Sequence, residues 1–219
     1  MNAWSFSSLS SYETCPLRYY LTRVAEDRVV EPESEAIIWG NFVHEALEEY
    51  LRDGKALPKT ISNLQSLVDK LTSKKGELLV EQKMGVTENL ESCDFFSKDC
   101  WYRGIVDVAI VNKNKAVILD WKTGKRKLNS DQLDLFAGLV FAHYPDVTDV
   151  VTGFVWLKDN KVDTQRYSRD DIRKIWMNFI PRVERLQRSY SEDKWLPKPS
   201  GLCRNWCPVG KSRCDHCGV

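Results

Sequence analysis

The sequence lacks a long apolar run, an internal repeat and any appreciable net charge. No segment approaches the roughly 18 consecutive apolar residues that a membrane-spanning helix requires, and the first residues lack the basic and apolar regions of a signal peptide. We therefore expect an intracellular, cytoplasmic protein that makes no contact with a membrane. The 32 basic and 31 acidic side chains nearly cancel, so the charge of the whole chain does not point to a partner.

The charges are nevertheless unevenly distributed along the chain. Residues 26–50 contain eight acidic side chains against one arginine, a net charge of −7, whereas residues 113–127 contain six basic side chains against one acid, a net charge of +5. A basic segment beside a buried acid is compatible with a polyanion that approaches a metal site. An ordinary solvated surface explains the same pattern.

Apolar periodicity predicts a mixed sheet between helices. Residues 36–53 have helical spacing and are followed by Gly54, whereas residues 101–111 and 116–122 are apolar on both faces of two predicted strands. A hairpin of this kind belongs at the centre of a sheet that helices cover on both sides. We therefore expect an α/β fold with a central mixed β-sheet flanked by helices.

Two aspartates are predicted to face each other in this hairpin. If the turn comprises residues 112–115, the register sets Asp107 opposite Asp120, with Cβ atoms about 5 Å apart. Two buried carboxylates at that distance repel each other, so a proton or a divalent cation must stabilise the pair. Lys122 lies on the same face as Asp120, where its ammonium group could orient a water molecule. The alternative is that both aspartates are strand-end residues bonded to backbone N–H groups.

The ligands available to such a cation are mainly oxygen atoms, which favour Mg²⁺ or Mn²⁺. His44 lies on the apolar stripe of the predicted helix at 36–53. If this helix packs on the sheet, the imidazole could complete the set of metal ligands. A core histidine with an ordinary hydrogen bond explains the same position.

Several motifs taken together resemble the PD-(D/E)XK nuclease superfamily. Three of them are Gly104-Ile105-Val106-Asp107, Ile118-Leu119-Asp120-Trp121-Lys122-Thr123-Gly124-Lys125 and Gln132-Leu133. Earlier motifs resemble the branch of RecB-type nuclease domains and CRISPR-associated adaptation exonucleases. They are Ser5-Phe6-Ser7-Ser8-Leu9, Cys15-Pro16-Leu17-Arg18-Tyr19-Tyr20 and Gly40-Asn41-Phe42-Val43-His44.

The resemblance implies a restriction-endonuclease-like core and metal-dependent cleavage of DNA phosphodiester bonds. It assigns Asp107 and Asp120 to the metal and His44 to a further metal ligand. It implies that Lys122 positions or activates the attacking water.

Other residues receive supporting roles. Gln132 matches a family glutamine that helps organise the catalytic site, and Glu81 matches a further acid by strand position only. The basic loop Lys125, Arg126 and Lys127 is expected to contact phosphates of DNA.

Four of the seven cysteines lie within the last 17 residues, a density that suits metal or cluster ligation in a reducing compartment. The resemblance implies a [4Fe-4S] cluster held by Cys15, Cys203, Cys207 and Cys214. The spacing of the tail is also compatible with a zinc site. Its ligands would be Cys203, Cys207, Cys214 and Cys217, with His216 as a substitute.

We expect one domain over the whole chain. Its predicted parts are a helical N-terminal part at 1–75, a catalytic sheet core at 76–167, a long helix with a linker at 168–200 and a cysteine-rich tail at 201–219.

The expected function is that of a DNA exonuclease that uses Mg²⁺ or Mn²⁺ on single-stranded or end-processed DNA. DNA is the expected partner, and protein partners in recombination, phage replication or CRISPR adaptation are left open. One alternative is a catalytically silent DNA-binding or assembly module of the same fold. The other is a DNA endonuclease, although the sequence contains no separate recognition domain.

Overall fold

A computed structural model describes residues 3–31, 33–126 and 131–218 of the chain. The chain divides into two compact units, one comprising residues 1–33 and 177–219 and the other residues 34–176. The organisation of the whole chain as one domain stays a prediction. Within the described residues, no helix is both long enough and apolar enough to cross a bilayer.

The second unit contains a six-stranded sheet in the order β2-β1-β3-β4-β5-β6. The strands are β1 (Glu77–Thr87), β2 (Ser92–Cys93), β3 (Cys100–Asn112), β4 (Lys115–Lys122), β5 (Asp149–Trp156) and β6 (Lys161–Ser168). Only β4 and β5 are parallel neighbours, whereas the other neighbours are antiparallel. The predicted mixed sheet is therefore confirmed.

The hairpin of β3 and β4 has the predicted register, since Val111 pairs with Ala116. Its turn is shorter than predicted, because Asn112 and Lys115 still pair. Lys113 has a φ of +52°, as a tight two-residue hairpin turn requires. The shorter turn leaves the register unchanged, because Asn112 and Lys115 add one pair at the turn and do not shift the other pairs of the hairpin.

Six α-helices are described: α1 (Phe6–Thr14), α2 (Pro16–Tyr19), α3 (Glu35–Asp53), α4 (Gln65–Thr72), α5 (Asp131–His143) and α6 (Ile172–Glu192). Helix α3 begins after Ser34, whose side chain accepts a hydrogen bond from the N–H of Ile37. It ends at Gly54, whose φ of +70° suits glycine. Helix α5 connects the parallel strands β4 and β5, which need such a crossover.

Apolar side chains of α3, of α4 and of the segment before α4 pack on the sheet. This cluster includes Val43, Leu47, Ile61, Leu64 and Val68 against Val108, Ile110, Leu119, Trp121 and Val155. Helix α5 forms another apolar layer with eight buried residues. Gly104 of β3 lets α5 approach closely, since a Cβ there would lie 3.0 Å from Leu139. The sheet is therefore flanked by helices, which confirms the predicted fold class.

The first unit is held together by aromatic rings and an ion pair. Tyr20 and Trp195 are stacked with ring centroids 5.2 Å apart, and Tyr12 donates a hydrogen bond to the carbonyl of Arg185. Arg182 donates two hydrogen bonds of 2.7 Å to Glu13. These contacts tie the helices near the N-terminus to the C-terminal half of α6.

Gly138 of α5 is a close-packing position. A Cβ there would lie 2.8 Å from Cζ2 of Trp176, whose side chain is buried. Alanine favours a helix over glycine by about 1 kcal/mol, but overpacking a core costs about 1–3 kcal/mol. We expect Gly138→Ala to lower the free energy of unfolding by roughly 1 kcal/mol in urea titrations. A variant as stable as the wild type would contradict this packing.

Candidate metal centre

Three acidic residues occupy one row across three neighbouring strands. The register of β1 and β3 sets Glu81 opposite Asp107, and the register of β3 and β4 sets Asp107 opposite Asp120. The regular pairing of the strands is interrupted in this row. The pairing of β1 with β3 skips Glu81, and the pairing of β3 with β4 ends at Val108, before Asp107. Glu81 has a φ of +50°, a conformation that costs a residue with a side chain about 1–3 kcal/mol. Such strain is typical of functional sites.

The imidazole of His44 on α3 reaches this row. Its Nδ1 lies 3.5 Å from Oδ2 of Asp107, and its Nε2 lies 2.8 Å from the carbonyl oxygen of Trp121. A carbonyl only accepts, so Nε2 carries a proton. Nδ1 therefore faces the acids, where it holds a proton when the ring is charged and offers a lone pair to a metal ion when the ring is neutral. Ligand atoms of His44, Glu81 and Asp107 all lie within 4.8 Å of one another.

The peptide groups of Trp121 position both His44 and Asp107. The Trp121 N–H donates a 2.7 Å hydrogen bond to Oδ2 of Asp107, while its carbonyl accepts from His44. The side chain of Asp107 thus takes the place of the backbone partner that a regular ladder would supply. This hydrogen bond holds the carboxylate of Asp107 close to His44 and Glu81.

Asp120, Lys122 and Gln132 form a second group beside the first. Gln132, at the start of α5, donates through Nε2 to Oδ1 of Asp120 at 3.1 Å and accepts from Nζ of Lys122 at 2.9 Å. Nζ of Lys122 also lies 2.5 Å from Oδ2 of Asp120. That oxygen is buried and has no well-directed hydrogen-bond donor among the described residues, which leaves a lone pair for a cation.

Negative charge accumulates in this buried site. Burial, followed by the charges of Asp107 and Glu48, raises the pKa of Glu81 to about 7. Burial and the charge of Asp107 also raise the pKa of Asp120. Burial lowers the pKa of His44, but the hydrogen bond and charge of Asp107, the charge of Asp120 and the hydrogen bond to Trp121 together outweigh this effect, so the pKa is raised. The site therefore favours added positive charge, as protons or as a metal ion.

The residues fit a divalent metal ion. Two carboxylates and an imidazole are suitable ligands for Mn²⁺, and a site richer in oxygen than nitrogen also suits Mg²⁺. The oxygen of Asp120 without a directed donor lies in the same buried row of acids. His44, Glu81 and Asp107 would hold the ion, with Asp120 next to them.

The structure brings the predicted residues together in two groups. His44 and Asp107 meet, and they are joined by Glu81, the acid with the weakest sequence support. Asp120 is instead most closely engaged by Lys122 and Gln132. The roles of all these residues stay predictions.

Arg52 was not expected at the site. It donates a 3.0 Å hydrogen bond to the carbonyl of Val80, directly before Glu81. It also forms an ion pair with Glu48, four residues earlier in α3. His44, Glu48 and Arg52 follow one another at intervals of four residues on one helix face, and this spacing is the sequence signal that could have identified them as neighbours.

The predicted basic loop is only partly described. Lys125 is exposed, whereas Arg126 donates a 2.6 Å hydrogen bond to Asp163. The charge of Arg126 is therefore partly neutralised within the protein. Lys127 lies outside the described residues.

The cysteine-rich tail belongs to the first unit. Cys15 lines the same pocket as all four cysteines of the tail, namely Cys203, Cys207, Cys214 and Cys217, and as His216. Burial, followed by hydrogen bonding to Cys207, raises the pKa of Cys217 to about 12. Both predicted ligand sets therefore lie around one pocket.

Comparisons with known proteins agree with this architecture. Residues 3–92 match the model of the PD-(D/E)XK nuclease superfamily. The solved structure of a presumed exonuclease from Eubacterium rectale is similar over 93% of this chain and 86% of that chain, with a TM-score of 0.57 at 10% identity. At this identity the likeness establishes a shared fold. The family match covers the N-terminal 90 residues, and the structural likeness extends the shared fold over most of the chain.

Two further comparisons carry less information. The solved structure of the protein SSO0001 aligns over 95% of this chain and 84% of that chain at 13% identity, and its TM-score of 0.45 is too low for an argument about fold. No curated protein matches the sequence significantly. The family match includes His44 and Glu81 but ends before Asp107, so the geometry of the sheet joins the two parts of the site.

Proposed function

We propose that this chain is a metal-dependent DNA exonuclease that hydrolyses phosphodiester bonds on single-stranded or end-processed DNA. The observation that carries the proposal is the convergence of His44, Glu81 and Asp107, beside Asp120 and Lys122. The match of residues 3–92 to the model of a nuclease superfamily supports hydrolysis of a nucleic acid.

The buried acids supply the metal-binding part of the site. A bound Mg²⁺ or Mn²⁺ would provide a more acidic water and neutralise charge on the phosphoryl group. His44 offers a neutral nitrogen because its other nitrogen is engaged by Trp121. Asp107 is oriented by the N–H of the same residue, so these two ligands are pre-positioned before substrate binds.

Lys122 supplies a positive charge to the site. Its ammonium group is held by Gln132 and Asp120, which fixes its position beside the metal ligands. From there it can donate a hydrogen bond to the attacking water or to a phosphate oxygen. The exposed Lys125 would bind the phosphate backbone, together with Arg126 and Lys127, and this binding should weaken steeply with salt.

The mode of cleavage is tested with end-labelled linear DNA and closed circular DNA of the same sequence. With Mg²⁺ or Mn²⁺, we expect linear DNA to be shortened from an end and circular DNA to stay intact. A cut circle would support an endonuclease instead. Binding of DNA without cleavage in either metal would support the catalytically silent module.

We also propose a [4Fe-4S] cluster in the first unit, held by Cys15, Cys203, Cys207 and Cys214. The support is that Cys15 lines the same pocket as the tail, because a zinc site within the tail does not need it. All seven cysteines are free thiols, as is usual in a reducing cytoplasm, the location we propose.

The ligand set is tested on protein purified anaerobically. We expect a brown protein that contains about four iron and four sulfide ions per chain. Cys15→Ala should lose the colour, while Cys217→Ala should keep it. A colourless protein that contains zinc, with Cys217→Ala losing the metal and Cys15→Ala retaining it, would favour the tail site.

A further inference from the structure

An exposed aromatic pair lies on α3 shortly before His44. Trp39 is 44% exposed and Phe42 is 38% exposed, and their ring centroids are 5.5 Å apart. The adjacent Ile37 and Ile38 are also exposed. A contiguous apolar patch of this kind on a protein surface marks a binding site more often than scattered apolar residues do.

An open pocket of about 220 Å³ lies beside Trp39. One wall is formed by Trp39 and Val43 of α3, and the remaining lining includes Thr60, Asn63 and Lys158. The pocket thus combines an aromatic face with hydrogen-bonding groups and one cation, which are the features that a nucleotide needs.

The pocket lies on the elements that carry the candidate metal centre, because Val43, which lines it, directly precedes His44. Thr123, which follows Lys122 directly, also lines it. A Cβ at Gly40 would lie 3.3 Å from Oγ1 of Thr123, so α3 runs close to the end of β4. Trp39 precedes His44 by five residues, about 7.5 Å along the helix axis and about 140° around it, so a strand that reaches both residues curves around α3 beside the end of β4.

We propose that Trp39, supported by Phe42, stacks an unpaired nucleobase of the DNA strand next to the phosphate at the metal centre. This inference rests on the proposed nuclease function and specifies its substrate as single-stranded DNA. Aromatic stacking suits single strands because every unpaired base has an accessible π-face. Lys158 is placed to contact the neighbouring phosphate.

The test compares Trp39→Ala and Trp39→Phe with Phe96→Ala, which removes an exposed ring from another aromatic pair. We expect Trp39→Ala to raise KM for single-stranded oligothymidylate about ten- to a hundredfold, with a smaller change in kcat. Trp39→Phe and Phe96→Ala should stay close to the wild type. Thermal unfolding verifies that each variant is folded.

A substrate with abasic nucleotides near its end separates base stacking from backbone binding. For the wild type, removal of the bases should raise KM as much as Trp39→Ala does, whereas Trp39→Ala should show little further loss on this substrate. If both proteins lose the same factor on the abasic substrate, the inference is wrong.

Binding without cleavage keeps this inference distinct from the function on which it rests. Fluorescence anisotropy of labelled oligothymidylate in EDTA should show weaker binding to Trp39→Ala, with a Kd raised by the same factor as KM. Active wild-type enzyme with unchanged binding by Trp39→Ala would overturn the inference and leave the nuclease function intact. Binding that depends on Trp39 in a protein that cleaves no DNA would support the inference and overturn the nuclease function. A wild type that neither binds nor cleaves would overturn both.

Discussion

Asp120→Asn should reduce metal-dependent degradation of single-stranded DNA by about 10³-fold or more. The estimate follows from the several kcal/mol of transition-state stabilisation that a catalytic metal ion provides. Asparagine has nearly the same shape as aspartate and keeps an oxygen that can accept from Gln132, whose distance to Oδ1 of Asp120 is 3.1 Å. The variant therefore removes the negative charge and, with it, the ion pair with Lys122.

The same variant should be at least as stable as the wild type in the absence of metal. Asp120 is 3% exposed and lies near Asp107, so its negative charge is unfavourable in the metal-free fold. Asp149→Asn provides a control at an exposed position of the adjacent strand β5 and should leave both activity and stability unchanged. Undiminished cleavage by Asp120→Asn would exclude the proposed site.

Lys122→Met should lower kcat by about 10²–10⁴-fold, the usual contribution of a positioned proton-transfer group. Methionine preserves most of the aliphatic chain, so the packing of β4 is kept. Binding of Mn²⁺ should be retained, because the clustered ligand atoms belong to His44, Glu81 and Asp107. Single-turnover cleavage and calorimetric titration with Mn²⁺ measure the two effects separately.

Lys115→Met is the matched control on the same strand, at an exposed position. It should reproduce wild-type cleavage and Mn²⁺ binding. If Lys122→Met cleaved DNA at the wild-type rate, the lysine would have no part in the chemistry. If it lost Mn²⁺ binding along with activity, its role would be structural support of the ligands.

The central hairpin could be predicted because its signals are local. Apolar residues on both faces identify β3 and β4 as buried strands, and a short turn fixes their register. Asn112 and Lys115, predicted to lie in the turn, pair with each other in the structure, and Val111 still pairs with Ala116. The alignment of Asp107 with Asp120 is therefore the same for either turn length.

The position of Glu81 could not be predicted with the same certainty. Strands β1 and β3 are connected through β2, so no short turn fixes their register. Moreover, the φ of +50° at Glu81 interrupts the alternation of side chains on which a strand-based assignment depends. The contact of Arg52 with Val80 is equally non-local, because it requires the packing of α3 against β1.

The cysteine ligands illustrate a different limit. The family resemblance implies Cys15 as the fourth ligand of a cluster, whereas the spacing of the tail is compatible with Cys217 as the fourth ligand of a zinc site. Tertiary structure brings both residues to one pocket. The fold therefore predicts where a metal ion or cluster would bind, but it does not distinguish the two ligand sets. Metal analysis of the variants makes that choice.

The most direct test of the metal centre is anomalous diffraction from a crystal soaked in Mn²⁺. We predict an anomalous peak at ligand distance from Nδ1 of His44 and from carboxylate oxygens of Glu81 and Asp107, next to Asp120. A well-occupied Mn²⁺ peak elsewhere, with these side chains bonded only to protein or water, would contradict the account.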